Sequence, residues 1–73
     1  MANSDWLTLK GGNHELHCGE GRKLRIIRTK RQPEQWTAVA VLTRSQAIGH
    51  YTTQEDAQRA AEDWAVATWG YKR

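Results

Sequence analysis

Residues 52–70 read TTQEDAQRAAEDWAVATWG, and their reading decides the fold. Thr52 followed three positions later by Glu55 forms a capping box, and Thr53 with Asp56 repeats the arrangement one residue on, so a helix should begin near residue 53. Ala57, Ala60, Ala61, Trp64, Ala65 and Thr68 then recur at helical spacing, while Glu55, Asp56, Arg59, Glu62 and Asp63 occupy the remaining surface. Gly70 suits the left-handed residue that closes a helix, and Tyr71-Lys72-Arg73 brings positive charge to the negative end of the helix dipole. The pattern predicts one helix over about 53–69, with a narrow stripe of mostly small residues that lets it lie close on a sheet.

Upstream of that helix the segments read as strands. Ala47 to Tyr51 is a short one, with Gly49 allowing close approach of a neighbouring backbone, and Arg44-Ser45-Gln46 turns the chain before it. Trp36 to Thr43, WTAVAVLT, is apolar at alternate and intervening positions alike, which predicts a central strand covered on both faces. Gln32-Pro33-Glu34-Gln35 interrupts the pattern, because Pro33 lacks an amide donor and its fixed φ suits a turn. Lys23 to Lys30 reads as a strand through its β-branched pair Ile26 and Ile27, with Gly19 and Gly21 marking the turn before it. Asp5 to Lys10 and His14 to Cys18, joined by Gly11-Gly12-Asn13, predict a hairpin. The expected fold is α+β: an antiparallel sheet of three to five strands packed on one C-terminal helix, in a single domain over 1–73 whose ends, 1–4 and 71–73, are flexible.

A chain of 73 residues lies near the lower limit for a core without disulfides or metal, since so small a domain buries only about 60% of the surface its unfolded form exposes. With no Phe, four Trp and two Tyr must supply the bulk. Truncating a buried Trp should cost roughly 3–5 kcal/mol against a total stability of about 4–11 kcal/mol. A single Cys excludes an internal disulfide, so nothing points to an oxidising compartment. The start, MANSDWLTLK, lacks a basic region followed by an apolar one, and no later stretch is apolar for long enough to span a bilayer, so a soluble, cytoplasmic protein with no membrane partner is expected.

The functional clue is the run Gly21 to Arg31, GRKLRIIRTKR, which carries six Lys or Arg and no acid in eleven residues: Arg22, Lys23, Arg25, Arg28, Lys30 and Arg31. Charges held at strand spacing project at fixed intervals and can track a phosphate backbone or match an acidic protein surface. The same charges on an edge strand would only discourage edge-to-edge pairing. Strict alternation fails at Ile26-Ile27, where a bulge or twist is expected. The net charge of +3 hides an asymmetry, because the acids Glu55, Asp56, Glu62 and Asp63 lie together in the last third, so two electrostatic faces are expected.

Other candidate chemistry is thin. On a strand, His14 and Cys18 point to one face and His17 to the other, so these three cannot share a tetrahedral ion with His50, and no metal or other cofactor is expected. Cys18 and its neighbour His17 likewise face opposite ways, and no Ser-His-Asp grouping assembles, so no catalytic residue is assigned and an enzyme is not expected. Trp64 and Trp36 read as core residues. Trp6 and Trp69, near the ends, are candidates for exposed indoles on a partner surface.

Over residues 24–69 the chain resembles the AP2-type DNA-binding domain, including the arm-binding domains of phage-type integrases. The resemblance is carried by the basic strand RIIRTKR, the Trp opening WTAVAV, and the stretch AIGHYTTQEDAQRAAEDWA, similar to that family's glycine, aromatic, Thr and Ala-rich helix entry. It implies three antiparallel strands followed by a helix, with the sheet entering the major groove. It also implies that Arg25, Arg28, Lys30, Arg31 and Trp36, with Arg22 and Lys23 beside them, contact DNA in a phage or mobile-element accessory or regulatory factor. The chain departs from the family at Val39 and Val41, where the family carries charged groups on its DNA side. Those valines prefer a dry contact, so either the hairpin over 5–18 covers them or another protein does.

Two expectations follow. In the first, slightly favoured, the basic strand binds DNA. In the second the chain is a protein-interaction module, a phage-encoded modulator of a host protein or a homodimer, docking through Val39, Val41, Trp6 and Trp69.

Overall fold

A computed structural model describes residues 6–30 and 34–72. Five strands form one antiparallel sheet in chain order: β1 (Leu7–Thr8), β2 (His14–Gly19), β3 (Arg22–Thr29), β4 (Gln35–Val41) and β5 (Ser45–Tyr51). Helix α1 (Gln54–Trp69) follows and packs on one face of the sheet, over β3, β4 and β5. This is the α+β architecture that the sequence predicts, at the upper end of its strand count.

Local chemistry accounts for the turns and the helix ends. The β2–β3 hairpin closes through Glu20 and Gly21, both at positive φ (56° and 78°), the backbone handedness that matches the twist of adjacent strands. At the start of α1, Thr53 is extended and its hydroxyl accepts from the Asp56 amide at 3.1 Å, so the second of the two candidate boxes provides the cap. Gly70 stops the helix at φ 68° and its amide donates to Val66. The Gln32-Pro33 break and Arg31 lie outside the described residues.

The core is small and aliphatic. Leu16, Leu24, Ile26, Ala38 and Ala40 from the sheet meet Ala57, Ala61 and Ala65, which recur every fourth residue along α1. Because the helix presents only methyl groups, its backbone comes close to the sheet, and the large side chains that are fully buried are Leu16, Leu24 and Ile26. The four indoles do not fill the centre. Trp6, Trp36, Trp64 and Trp69 ring it instead, each partly buried against the core.

Three expectations are corrected. β4 is covered on one face only: Ala38 and Ala40 are buried under α1, while Val39 and Val41 point to the opposite, open side. β3 contains no bulge, and its register with β4 runs unbroken from Lys23 opposite Val41 to Thr29 opposite Gln35. Ile26 and Ile27 are simply consecutive strand residues on opposite faces, one 0% and the other 38% exposed. The irregularities lie instead on its neighbours, at Cys18 in β2 and Ile48 in β5. Finally, it is no backbone that crowds Gly49 but the phenol of Tyr51, whose oxygen would lie 2.6 Å from a Cβ at that position.

Candidate functional site

Strand parity assigns the face that α1 leaves uncovered. Glu15 and His17 from β2, Lys23, Arg25 and Ile27 from β3, and Thr37, Val39 and Val41 from β4 all have the parity opposite to the buried core residues. β1 places Leu7 on the same side, opposite Glu15, and β5 adds Ala47 and His50. Leu7 and Ile27 are exposed, and the two valines are partly so. The hairpin over 5–18, one of the two possible covers for the valines, lengthens the sheet instead of folding across it.

The cations of β3 are therefore divided. Lys23 and Arg25 belong to the open side, whereas Arg22 and Arg28 share the parity of Leu24 and Ile26 and lie on the helix side. Each guanidinium has a carboxylate partner. Arg25 donates Nε and Nη2 to Glu15 Oε2 at 3.1 and 2.6 Å, and Glu15 Oε1 lies 2.9 Å from His17 Nε2. The Arg25 bonds, then the His17 contact, hold the Glu15 carboxyl below the usual carboxylate range, outweighing the opposite effect of burial. Arg28 pairs with Glu34 and lies 5.5 Å above the Trp36 ring. Arg22 lies 5.7 Å above Trp69, donates Nη1 to that residue's carbonyl at 3.3 Å, and approaches Glu20 at 3.6 Å. It therefore ties β3 to the C-terminal end of the helix.

The expected array is thus not assembled. Of its members, Lys23 and Arg25 remain on the open side, Lys30 is exposed just beyond β3, and Arg31 lies outside the described residues. Trp36 is on the helix side, beside His14 with ring centroids 6.3 Å apart. The reading of the run as edge protection fails as well, because β3 is the middle strand of five. The second candidate set divides in the same way: Val39 and Val41 face the open side, whereas Trp6 and Trp69 pack against the core on the other. The Trp6 indole donates to Glu62 at 2.7 Å, and Trp69 stands edge-on to Trp64 at 5.0 Å.

The histidines and the cysteine also separate. His14 is buried on the helix side and His17 is exposed on the open side beside Glu15. Cys18 packs at the core margin, where burial, followed by the charge of Glu62, pushes its thiol pKa up. On the open side His50 Nδ1 lies 2.9 Å from the Thr37 hydroxyl.

Sequence reasoning missed Ile27 and Glu15. The parity that buries Ile26 was available to place Ile27 on the opposite face, but the pairing of Glu15 with Arg25 required the β2–β3 register, which no local signal contains. The open side that results is mixed: aliphatic at Ile27, Val39 and Val41, polar around Glu15, His17, Lys23 and Arg25. Among the described residues, no helix is long and apolar enough to cross a membrane. No protein-family model, curated protein or solved structure matches the chain.

Proposed function

We propose that the chain is a small non-enzymatic protein-interaction module that docks a partner protein on the open face of its sheet. The observation that carries this reading is the position of Ile27, Val39 and Val41 on one face without a helix, near one another on the adjacent strands β3 and β4, while the buried apolar side chains converge under α1. Exposed aliphatic groups gain by excluding water against a complementary apolar surface. Lys23 and His17 on the same face suit a partner whose contact is rimmed by carboxylates.

The polyanion reading has less support than the sequence offered it. Its guanidinium groups on β3, Arg22, Arg25 and Arg28, are divided between two faces, and each of these already has a carboxylate partner. Neither a Trp nor a Tyr ring lies on the open face among the described residues to stack on a base. Five strands at about 4.8 Å spacing also span roughly 19 Å, wider than the ~12 Å major groove that accepts a narrower ribbon.

The test uses purified chain and affinity capture from cells that naturally express it, with each partner then purified and remeasured. Val41→Asp should abolish the contact, Ile27→Asp should weaken it, and Arg25→Ala with Arg28→Ala should leave it largely intact. Circular dichroism checks that each variant folds. A partner insensitive to both Val41→Asp and Ile27→Asp would overturn the proposal. So would salt-sensitive binding of duplex DNA at 50 mM salt that the double arginine change removes.

A further inference from the structure

On the opposite side of the sheet from the proposed docking face, α1 and the β4–β5 turn enclose a cleft of about 390 Å³. Trp64 and Trp69 form its aromatic corner, their rings nearly perpendicular, and Ala40 and Leu42 supply further apolar lining. Arg44 and Gln46 are its main polar groups. Among the described residues no acid lines it and Arg44 has no carboxylate partner.

The strand beside this cleft is a free edge. Among the described residues β5, SQAIGHY, has β4 on one side and no strand on the other, and it carries no Lys, Arg, Asp, Glu or Pro, the usual guards of an exposed edge. Its bulge at Ile48 protects the middle, but Ser45, Gln46 and Ala47 pair regularly with Val41, Ala40 and Val39 and leave their outer edge open. Gln46 shares the helix-side parity of Ala40 and also lines the cleft. A residue on an added strand directly opposite Gln46 would project the same way, toward the indoles.

We infer that the start of β5 receives an extended acidic peptide from a partner protein as a sixth strand, which places one bulky apolar side chain in the Trp64–Trp69 cleft and a carboxylate two residues away, on the same face, on Arg44. Backbone hydrogen bonds along Ser45–Ala47 supply the attachment, and the cleft and Arg44 supply the selection. The cleft lies on the helix side of the sheet, and the site does not depend on the function proposed for the open face.

The probe is an acetylated, amidated heptapeptide of Thr and Val with a central Phe-Thr-Glu, titrated into the intact chain at 50 mM salt. Tryptophan fluorescence and backbone amide shifts provide the readouts. Saturable binding is expected below 1 mM, with the largest shifts at Ser45–Ala47 and at the Trp64 and Trp69 indoles. Arg44→Glu should weaken this peptide about fivefold or more and strengthen a Phe-Thr-Lys version by a similar factor, a charge exchange that mere loss of folding cannot imitate. Ile27→Asp, on β3 and two strands away from β5, should change neither value, which keeps this site distinguishable from the open face. Absence of saturation at 1 mM, equal affinity for the two peptides before and after Arg44→Glu, or shifts confined to Ile27, Val39 and Val41 would each overturn the inference.

Discussion

Arg25 and Glu15 face each other directly across β2 and β3, and the guanidinium donates two hydrogen bonds to one carboxylate oxygen, at 3.1 and 2.6 Å. The carboxylate is buried, with the residue 8% exposed, while the arginine side chain is 41% exposed. A charge removed from water in this way needs its partner, so the most basic strand of the chain has its central arginine committed within the fold. Glu15→Gln should lower stability by about 1 kcal/mol, the value of a charge-assisted bond reduced for the exposure of Arg25. Urea denaturation measures it, and an unchanged midpoint would show that the pair does not contribute.

The same pair gives stability a pH dependence of definite sign. Because Arg25 and His17 hold the folded carboxyl below its ordinary value, folding favours the ionised form. That contribution is complete above the unfolded Glu value of about 4.3, and it is lost as pH falls from there through the lower folded value. Denaturation midpoints from pH 7 to pH 2 should decline in that acid window, and Glu15→Gln should flatten the decline.

Ile26 and Ile27 separate core from surface within one dipeptide. Ile26→Ala removes a side chain that is 0% exposed and should cost about 2–5 kcal/mol, enough to threaten a domain of this size. Ile27→Ala, on the open face, should cost below about 1 kcal/mol. Thermal melts of the two variants test this, and similar losses from both would contradict the assigned parity.

Gly49→Ala should destabilise by about 1 kcal/mol, because the new methyl would lie 2.6 Å from the Tyr51 phenol oxygen and displace that ring from the margin of the core. Gly49→Ala combined with Tyr51→Ala should lose less than the sum of the single changes, since the ring that collides is then absent. A double-mutant cycle in urea measures the coupling.

Much of the fold was legible locally. The box at Thr53 and Asp56, the alanine spacing and Gly70 are signals contained within a single turn of chain, and they delimit α1 almost to the residue. Ile26 next to Ile27 was harder: two adjacent apolar residues suggest a phase slip unless each face of the strand has its own apolar neighbour, and those neighbours, Ala38 on one side and the Val39–Thr37 row on the other, come from a different strand. The site was less legible than the fold for the same reason. Arg22, Arg25 and Arg28 form one basic run in the chain, but their partners Glu20, Glu15 and Glu34 and the rings of Trp69 and Trp36 are set by pairing and helix docking. Charge density along a sequence therefore overstated the charge available to a ligand.

Site-specific photo-crosslinking from position 41, in cells that naturally express the chain and with position 66 on the exposed side of α1 as control, tests the open-face reading most directly. The account predicts a discrete adduct from position 41 that protease removes and nuclease leaves intact, with none from position 66. A nuclease-sensitive adduct at position 41, or protein adducts at position 66 alone, would contradict it.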